Sequence, residues 1–310
     1  TFINYIIMFR MHPELQYLSL IKNIIHNGTR QKGRNGYTKT LIGSSMRFPL
    51  LNNQIPLLTT KKLAWKSCLK ELLWFINGET DNTILQTQNV KIWNDNASRD
   101  FLDSRELYQY EENDLGPIYG YQWRNFNKKY VNKKKYNRDK KIAKFFGKGK
   151  KDIDQLQNII DSIKDTENMN SRRLIMTAWN PCQIKQMALP PCHVLSQFHV
   201  LDNKLSCTMY QRSGDVGLGI PFNVASYSFL TILLAHHCGL EPGEFIHFIG
   251  NAHIYEEHEE VLLEQIKREP YNFPKCYIYK KYNEIDYYKV EDFVIKDYKY
   301  HDKIKMEMKA

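Results

Sequence analysis

Apolar positions recur at helical spacing in some stretches of this chain and at strand spacing in others, and the two periods alternate along its length. Leu15, Leu18, Ile21, Ile24 and Ile25 fall on one face of a helix predicted over residues 12–27, with Gly28 at its end. Residues 39–49 read as a strand region after a glycine-containing turn. Residues 63–77 form a strongly apolar helical pattern that sets Glu71 among bulky neighbours, either on a wet face or in a functional role. Ile153, Leu156, Ile159, Ile160 and Ile163 predict a helix over 152–164, ahead of a strand at 173–179. Alternation at Ser196, Phe198 and Val200, then at Leu205, Cys207 and Met209, predicts strands 194–201 and 204–210 joined at Asp202-Asn203. A long apolar helix over 223–238 closed by Gly239, a strand at 245–249 and a helix over 255–268 complete the series. Helices interleaved with hairpin-compatible strands predict a single α+β domain, a mixed β-sheet flanked by helices. No repeat or linker divides it.

Composition narrows the class. The 310 residues are 42% hydrophobic and 25% charged, enough for a sizeable core inside a polar surface. No apolar run approaches the ~20 residues that span a bilayer, so no membrane partner is expected. Six cysteines without a CxxC pair predict reduced thiols in a cytoplasmic compartment. The net charge of +10 comes from one segment. Residues 127–151 hold eleven lysines, one arginine and one aspartate, a net of +11, which leaves the rest of the chain at −1. Such dense like charge predicts a solvated surface insertion. The interleaved Tyr130, Tyr136, Phe145 and Phe146 leave weak RNA contact as a second reading.

Candidate chemistry clusters around the predicted hairpin. Pro190-Pro191-Cys192-His193 precedes it and Gln211-Arg212-Ser213-Gly214-Asp215 follows it, so closing the hairpin makes Cys192 and Arg212 neighbours. A cysteine attacks as the thiolate, and a free thiol with a pKa of ~8.5 is mostly protonated at neutral pH. A guanidinium close by favours the charged form and can also hold an anionic substrate. Asn223 follows Pro221-Phe222 and by position alone reads as a helix cap. His253, Glu256, Glu257 and His258 lack HExxH spacing, and no metal site is expected.

Together these motifs resemble thymidylate synthase. The resemblance rests on Glu71-Leu72-Leu73-Trp74-Phe75, Gly116-Pro117-Ile118-Tyr119-Gly120, Ser171-Arg172-Arg173, the Cys192 and Arg212 motifs, the run from Gly219 to Tyr227, and His253-Ile254-Tyr255, in the family's order. It implies reductive methylation of dUMP to dTMP with 5,10-methylenetetrahydrofolate as the one-carbon and hydride donor, through a covalent adduct of Cys192 with uracil C6. It implies roles for Glu71 and Tyr119 in proton transfer and for His193 in an ordered-water network. Phosphate contacts would come from Arg34, Arg212 and Ser213 of one subunit and from Arg172 and Arg173 of the other, which requires a homodimer. Gln211, Asp215 and Asn223 would contact dUMP, with the Asn223 amide matching the N3–H and O4 edge of uracil. His253 and Tyr255 would hold the ribose. The folate would lie against Ile92, Trp93, Asn96, Leu189, Asp215, Leu218, Gly219, Phe222 and the C-terminal residues, Ala310 among them. Residues 13–310 then form the synthase domain, while 1–12 read as a leader or the remnant of a linker from a fused or lost dihydrofolate reductase domain. Departures from the family pattern lie at Gly33-Arg34-Asn35-Gly36-Tyr37, at Asn251 and in the tail from Met306 to Ala310. Two alternatives stand beside the synthase: a dUMP hydroxymethylase, which captures water in place of hydride, and an inactive nucleic-acid-binding paralogue.

Overall fold

The computed structural model describes residues 11–33, 35–131 and 153–307. The expectations placed on Arg34, on Ala310, on residues 1–10 and on the bulk of the lysine-rich segment lie outside them. The described helices are α1 (Leu15–Asn27), α2 (Trp65–Ile76), the short α3 (Thr83–Gln86) and α4 (Arg99–Ser104), α5 (Tyr119–Asn125), α6 (Gln155–Lys164), α7 (Gly219–Cys238) and α8 (Glu259–Gln265). The strands are β1 (Thr29–Gly33), β2 (Gly36–Pro49), β3 (Ile175–Thr177), β4 (His193–Leu201), β5 (Lys204–Asp215), β6 (Glu241–Tyr255), β7 (Lys275–Ile278) and β8 (Phe293–Lys296). β1 to β6 form one sheet in the order β1-β2-β6-β5-β4-β3, and β7 pairs with β8 in a small second sheet. This is the mixed α+β domain the pattern predicts.

One connection decides the topology. β5 and β6 pair in parallel, whereas every other neighbour in the large sheet is antiparallel. Parallel strands need a long crossover, and α7 supplies it. The helix is apolar on all sides, as a buried crossover must be, and packs on β5, β6 and α2. Gly239 ends it in the left-handed conformation at φ 78°, where a side chain would be strained. Among the described residues no helix is long and apolar enough to cross a membrane.

Several predicted boundaries move. α7 starts at Gly219, four residues before the predicted start, because Pro221 lies in the first turn, where a missing N–H breaks no helical bond. Asn223 is therefore inside the helix and Leu218 is its N-cap, which removes the capping reading of Asn223. β5 runs five residues past Tyr210, so the motif Gln211–Asp215 is itself strand. β6 covers 15 residues where five were predicted, since Pro242, Gly243 and Gly250 blur its alternation. It continues to Tyr255, and the helix predicted over 255–268 reduces to α8 behind a turn of 3₁₀ helix. β3 keeps only three of the seven residues predicted for it.

Candidate active site

The hairpin of β4 and β5 builds the centre of the site. The backbone N–H of Arg212 donates to the Cys192 carbonyl at 2.9 Å, and His193 pairs in register with Gln211. Cys192 is half-buried and free. The Arg212 guanidinium donates to the carbonyls of Pro191 (3.0 Å) and Pro190 (2.9 Å) and lies over the Trp179 ring, 5.8 Å from its centre. The two prolines thus offer carbonyls that hold the arginine beside the thiol-bearing turn. They cannot donate in competition.

A second wall comes from α2 and α5. The Cys192 N–H donates to the Tyr119 hydroxyl oxygen at 2.7 Å. Tyr119 stacks on Phe75 at 4.9 Å and meets the edge of the Trp93 ring at 5.9 Å. Burial first, and the Cys192 sulfur second, push the Tyr119 hydroxyl well above its ordinary pKa. Trp93 donates from Nε1 to Glu71 at 2.6 Å. Burial raises the Glu71 pKa to about 7 and the Trp93 bond only partly opposes it. A carboxyl that titrates near neutrality can both give and take a proton at physiological pH.

The floor is a chain of buried and half-buried polar side chains. His193 is packed between the Tyr119 and Tyr227 rings, each 5.2 Å away. Burial lowers its pKa to about 4, opposed by the Asn223 side chain and reinforced by the Arg212 charge, so the ring is neutral. Gln211 donates to Asn223 Oδ1 at 3.0 Å. Asp215, at the end of β5, accepts from the Gly217 N–H at 2.8 Å and pairs in register with His253 of β6. His253 and Tyr255 share one face of β6 with ring centres 5.6 Å apart, and burial lowers the His253 pKa despite Asp215. Asn251 accepts from His253 Nδ1 at 2.9 Å, so this departure from the family pattern still fixes the ring. Ser213 stands beside Asn251 in the same pairing.

Residues 15–310 match the family model described as thymidylate synthase. The chain belongs to the thymidylate synthase family. It is 51% identical to the thymidylate synthase of Homo sapiens over 298 residues, 96% of this chain and 91% of that protein. It is 48% identical to thymidylate synthase 1/2 of Encephalitozoon cuniculi, over 96% of this chain and 98% of that one. A putative bifunctional dihydrofolate reductase-thymidylate synthase of Oryza sativa subsp. japonica is 48% identical over 97% of this chain, which spans 58% of that longer protein.

The residues carried over from the thymidylate synthase pattern fall into three groups in space. Cys192, Arg212, His193, Gln211, Asn223, Tyr119 and Glu71 converge, linked by the bonds above. Ile92, Leu189 and Phe222 are partly exposed apolar side chains packed on the core. Leu218 and Gly219, beside them at the α7 start, are likewise half-buried, and Asn96 follows Trp93 in a turn of 3₁₀ helix. A side chain at Gly219 would come no closer than 3.8 Å to Asp215 and Asn223, an ordinary van der Waals contact. Arg172 and Arg173 do not join either group. They are exposed and precede β3, the sheet edge two strands from β5. Among the described residues no group of three or more His, Cys, Asp or Glu is placed to hold a metal ion.

Three residues near the site carried no sequence signal. Lys61 is buried, donates to the Gly217 carbonyl and has its pKa lowered to about 8 by desolvation, with Asp215 and Glu14 opposing. Glu14 is wholly buried and accepts from the N–H and hydroxyl groups of both Thr59 and Thr60, which fixes the segment carrying Lys61. His247, on β6, reaches Gln211 from beneath.

Proposed function

We propose that the chain is a thymidylate synthase that methylates dUMP at C5 with 5,10-methylenetetrahydrofolate, giving dTMP and dihydrofolate. The observation that carries this is the convergence of Cys192, Arg212 and Asn223 on one hairpin and helix start, with Tyr119 and Glu71 closing the opposite wall. Uracil C5 is a weak nucleophile, and addition of the Cys192 thiolate at C6 turns the ring into an enolate that can attack carbon. The folate supplies the one-carbon unit and the hydride. Loss of the C5 proton releases tetrahydrofolate from the new methylene group. Hydride transfer from the tetrahydrofolate to that carbon makes the methyl group, expels the Cys192 thiolate to restore the ring and leaves dihydrofolate. Glu71, poised near neutrality, carries protons for these steps, and the neutral His193 orders the solvent that relays them. Arg212 with Ser213 and Arg34 meets the phosphate, Asn223 the base, His253 and Tyr255 the ribose. Ile92, Trp93, Asn96, Leu189, Asp215, Leu218, Gly219, Phe222 and the tail to Ala310 hold the folate. Neither the hydroxymethylase nor the inactive-paralogue alternative has an observation of its own.

The working unit in this reading is a homodimer in an intracellular, reducing compartment. The sheet face turned away from α7 exposes Ile175, Tyr210 and Phe248, apolar side chains that a second copy would cover. The same face ends at β3, next to Arg172 and Arg173, so pairing would carry these arginines to the partner's phosphate site. Residues 13–310 act as one domain, and the lysine-rich segment is a surface insertion with at most a weak RNA role. Support comes from Phe126 and Ile153, whose backbones bond to each other across it (2.9 Å and 3.3 Å), so the segment leaves and re-enters at one point. The test is spectrophotometric: dihydrofolate should accumulate only when dUMP and methylenetetrahydrofolate are both present. No accumulation from dimeric, folded protein would overturn the reading.

A further inference from the structure

The recognition of a pyrimidine by one amide has an ambiguity that the surrounding structure must resolve. Uracil offers a donor at N3 and an acceptor at O4, and cytosine offers the reverse pair. An Asn side chain can match either one by rotating about its last bond, which exchanges Oδ1 and Nδ2. Selectivity for uracil therefore needs something that forbids the rotation of Asn223.

A chain of three side chains, of which Gln211 and His247 are buried and Asn223 half-buried, meets that need. Gln211 is 2% exposed and donates from Nε2 to the backbone carbonyl of Ser213 at 2.9 Å. A carbonyl only accepts, so the amide nitrogen of Gln211 must face it. The same nitrogen has a second proton, and it meets Asn223 at 3.0 Å, which requires Oδ1 there. A rotated Asn223 would set two N–H donors against each other and leave the buried Gln211 proton unsatisfied. Gln211 Oε1 then faces His247 Nε2 at 2.9 Å, so this nitrogen carries the proton and donates. His247 is fully buried on β6, its ring 5.5 Å from Phe245, and its Nδ1 has no hydrogen-bond partner. An unprotonated Nδ1 is the state such a position tolerates.

The geometry points to His247 as a specificity-determining positioning residue, which locks the Asn223 amide in its uracil-reading orientation through Gln211. This rests on the dUMP reading of the site given above. Among the three, His247 is the end of the chain farthest from the nucleotide, and its single buried N–H sets the direction of both amides. No contact between His247 and the substrate is needed.

The experiment compares wild type with His247→Leu, which has no donor, and His247→Gln, which keeps one, by calorimetric binding of dUMP and dCMP and by steady-state turnover of dUMP. His247→Leu should narrow the dUMP-to-dCMP affinity ratio by about tenfold or more, and His247→Gln should restore most of it. Folded His247→Leu with an unchanged ratio overturns the lock. Should that variant fail to fold, nitrogen NMR of the wild-type ring decides: a proton on Nε2 alone supports the lock, and a proton on Nδ1 overturns it. Wild-type protein that prefers neither nucleotide would instead overturn the dUMP reading, and the lock's role with it.

Discussion

Cys192 is held from both sides by groups that serve the backbone around it, with Tyr119 on its N–H and Arg212 on its carbonyl. Replacing the sulfur alone leaves these bonds in place. Cys192→Ser should therefore cost at least ~10⁴-fold in turnover, because an alkoxide is far harder to form than a thiolate, yet shift the dUMP dissociation constant by no more than about threefold. Turnover and calorimetry together check this, and near-normal turnover would sink the covalent mechanism. Glu71 offers a pH test with a definite sign. Its pKa rises from 4.5 to about 7 on folding, so over that window the folded state binds more protons than the unfolded one. Stability from this group is thus fully present below about pH 4.5 and falls as pH rises towards 7, by at most about 3 kcal/mol. The buried His193 works the other way, since its pKa falls to about 4 and its contribution is lost as pH drops below 6.5. The difference between wild type and Glu71→Gln in denaturant unfolding isolates the Glu71 share. Wild type should lose its advantage over the variant, or gain a deficit, as pH climbs from about 4.5 to 7. Parallel profiles would show that Glu71 titrates normally.

At the scale of elements, the wall bearing Tyr119 depends on a close approach of two helices. A side chain at Gly120 on α5 would sit 2.3 Å from the Phe75 carbonyl oxygen on α2, backbone that cannot swing aside. Gly120→Ala should push α5 off α2, destabilise the fold by about 1–3 kcal/mol and pull Tyr119 away from Cys192. Thermal unfolding gives the first effect and a fall in kcat at saturating dUMP the second; a stable, fully active variant would refute the packing argument. Helix α5 was also absent from the elements that the sequence pattern predicts. It is seven residues long and buried along its whole first turn, so no amphipathic period marks it. The Cys192–Arg212 hairpin was legible because Phe198, Val200, Leu205, Cys207 and Met209 alternate on its buried face. The strand's extension through Gln211–Asp215 was not, because there the buried side is occupied by Gln211 and Gly214. The Gln211–His247 contact was hidden for the same reason. Two polar residues on neighbouring parallel strands, brought together by a crossover helix, have no pattern in one dimension. The lysine-rich segment was read correctly as the source of charge, but its first residues belong to the fold: the Tyr130 hydroxyl bonds Asp114 and Thr80.

The whole molecule presents a sheet covered by helices on one side and lined on the other by Ile175, Tyr210 and Phe248, with Arg172 and Arg173 at its edge. An uncovered apolar sheet face favours a second copy, and twofold pairing presents the same patch from both partners. Within one chain these arginines lie at a strand two removed from β5, whose Arg212 already has its Nε and Nη2 engaged by proline carbonyls. In the proposed dimer, the exposed pair would supply across the interface the further cations that a phosphate at Arg212 needs. Mixed dimers test this directly. Arg173→Glu and Cys192→Ala subunits should each be inactive alone. When co-expressed or refolded together, half of the randomly formed dimers are hybrids, and each hybrid has one site with an intact thiol facing an intact partner arginine. About one quarter of wild-type turnover per site should return, because one site in two is complete in half of the dimers. Recovery should follow the hybrid fraction measured by native mass spectrometry. Hybrids that form and stay inactive would mean that each site is completed within its own chain, and that Arg172 and Arg173 serve some other surface.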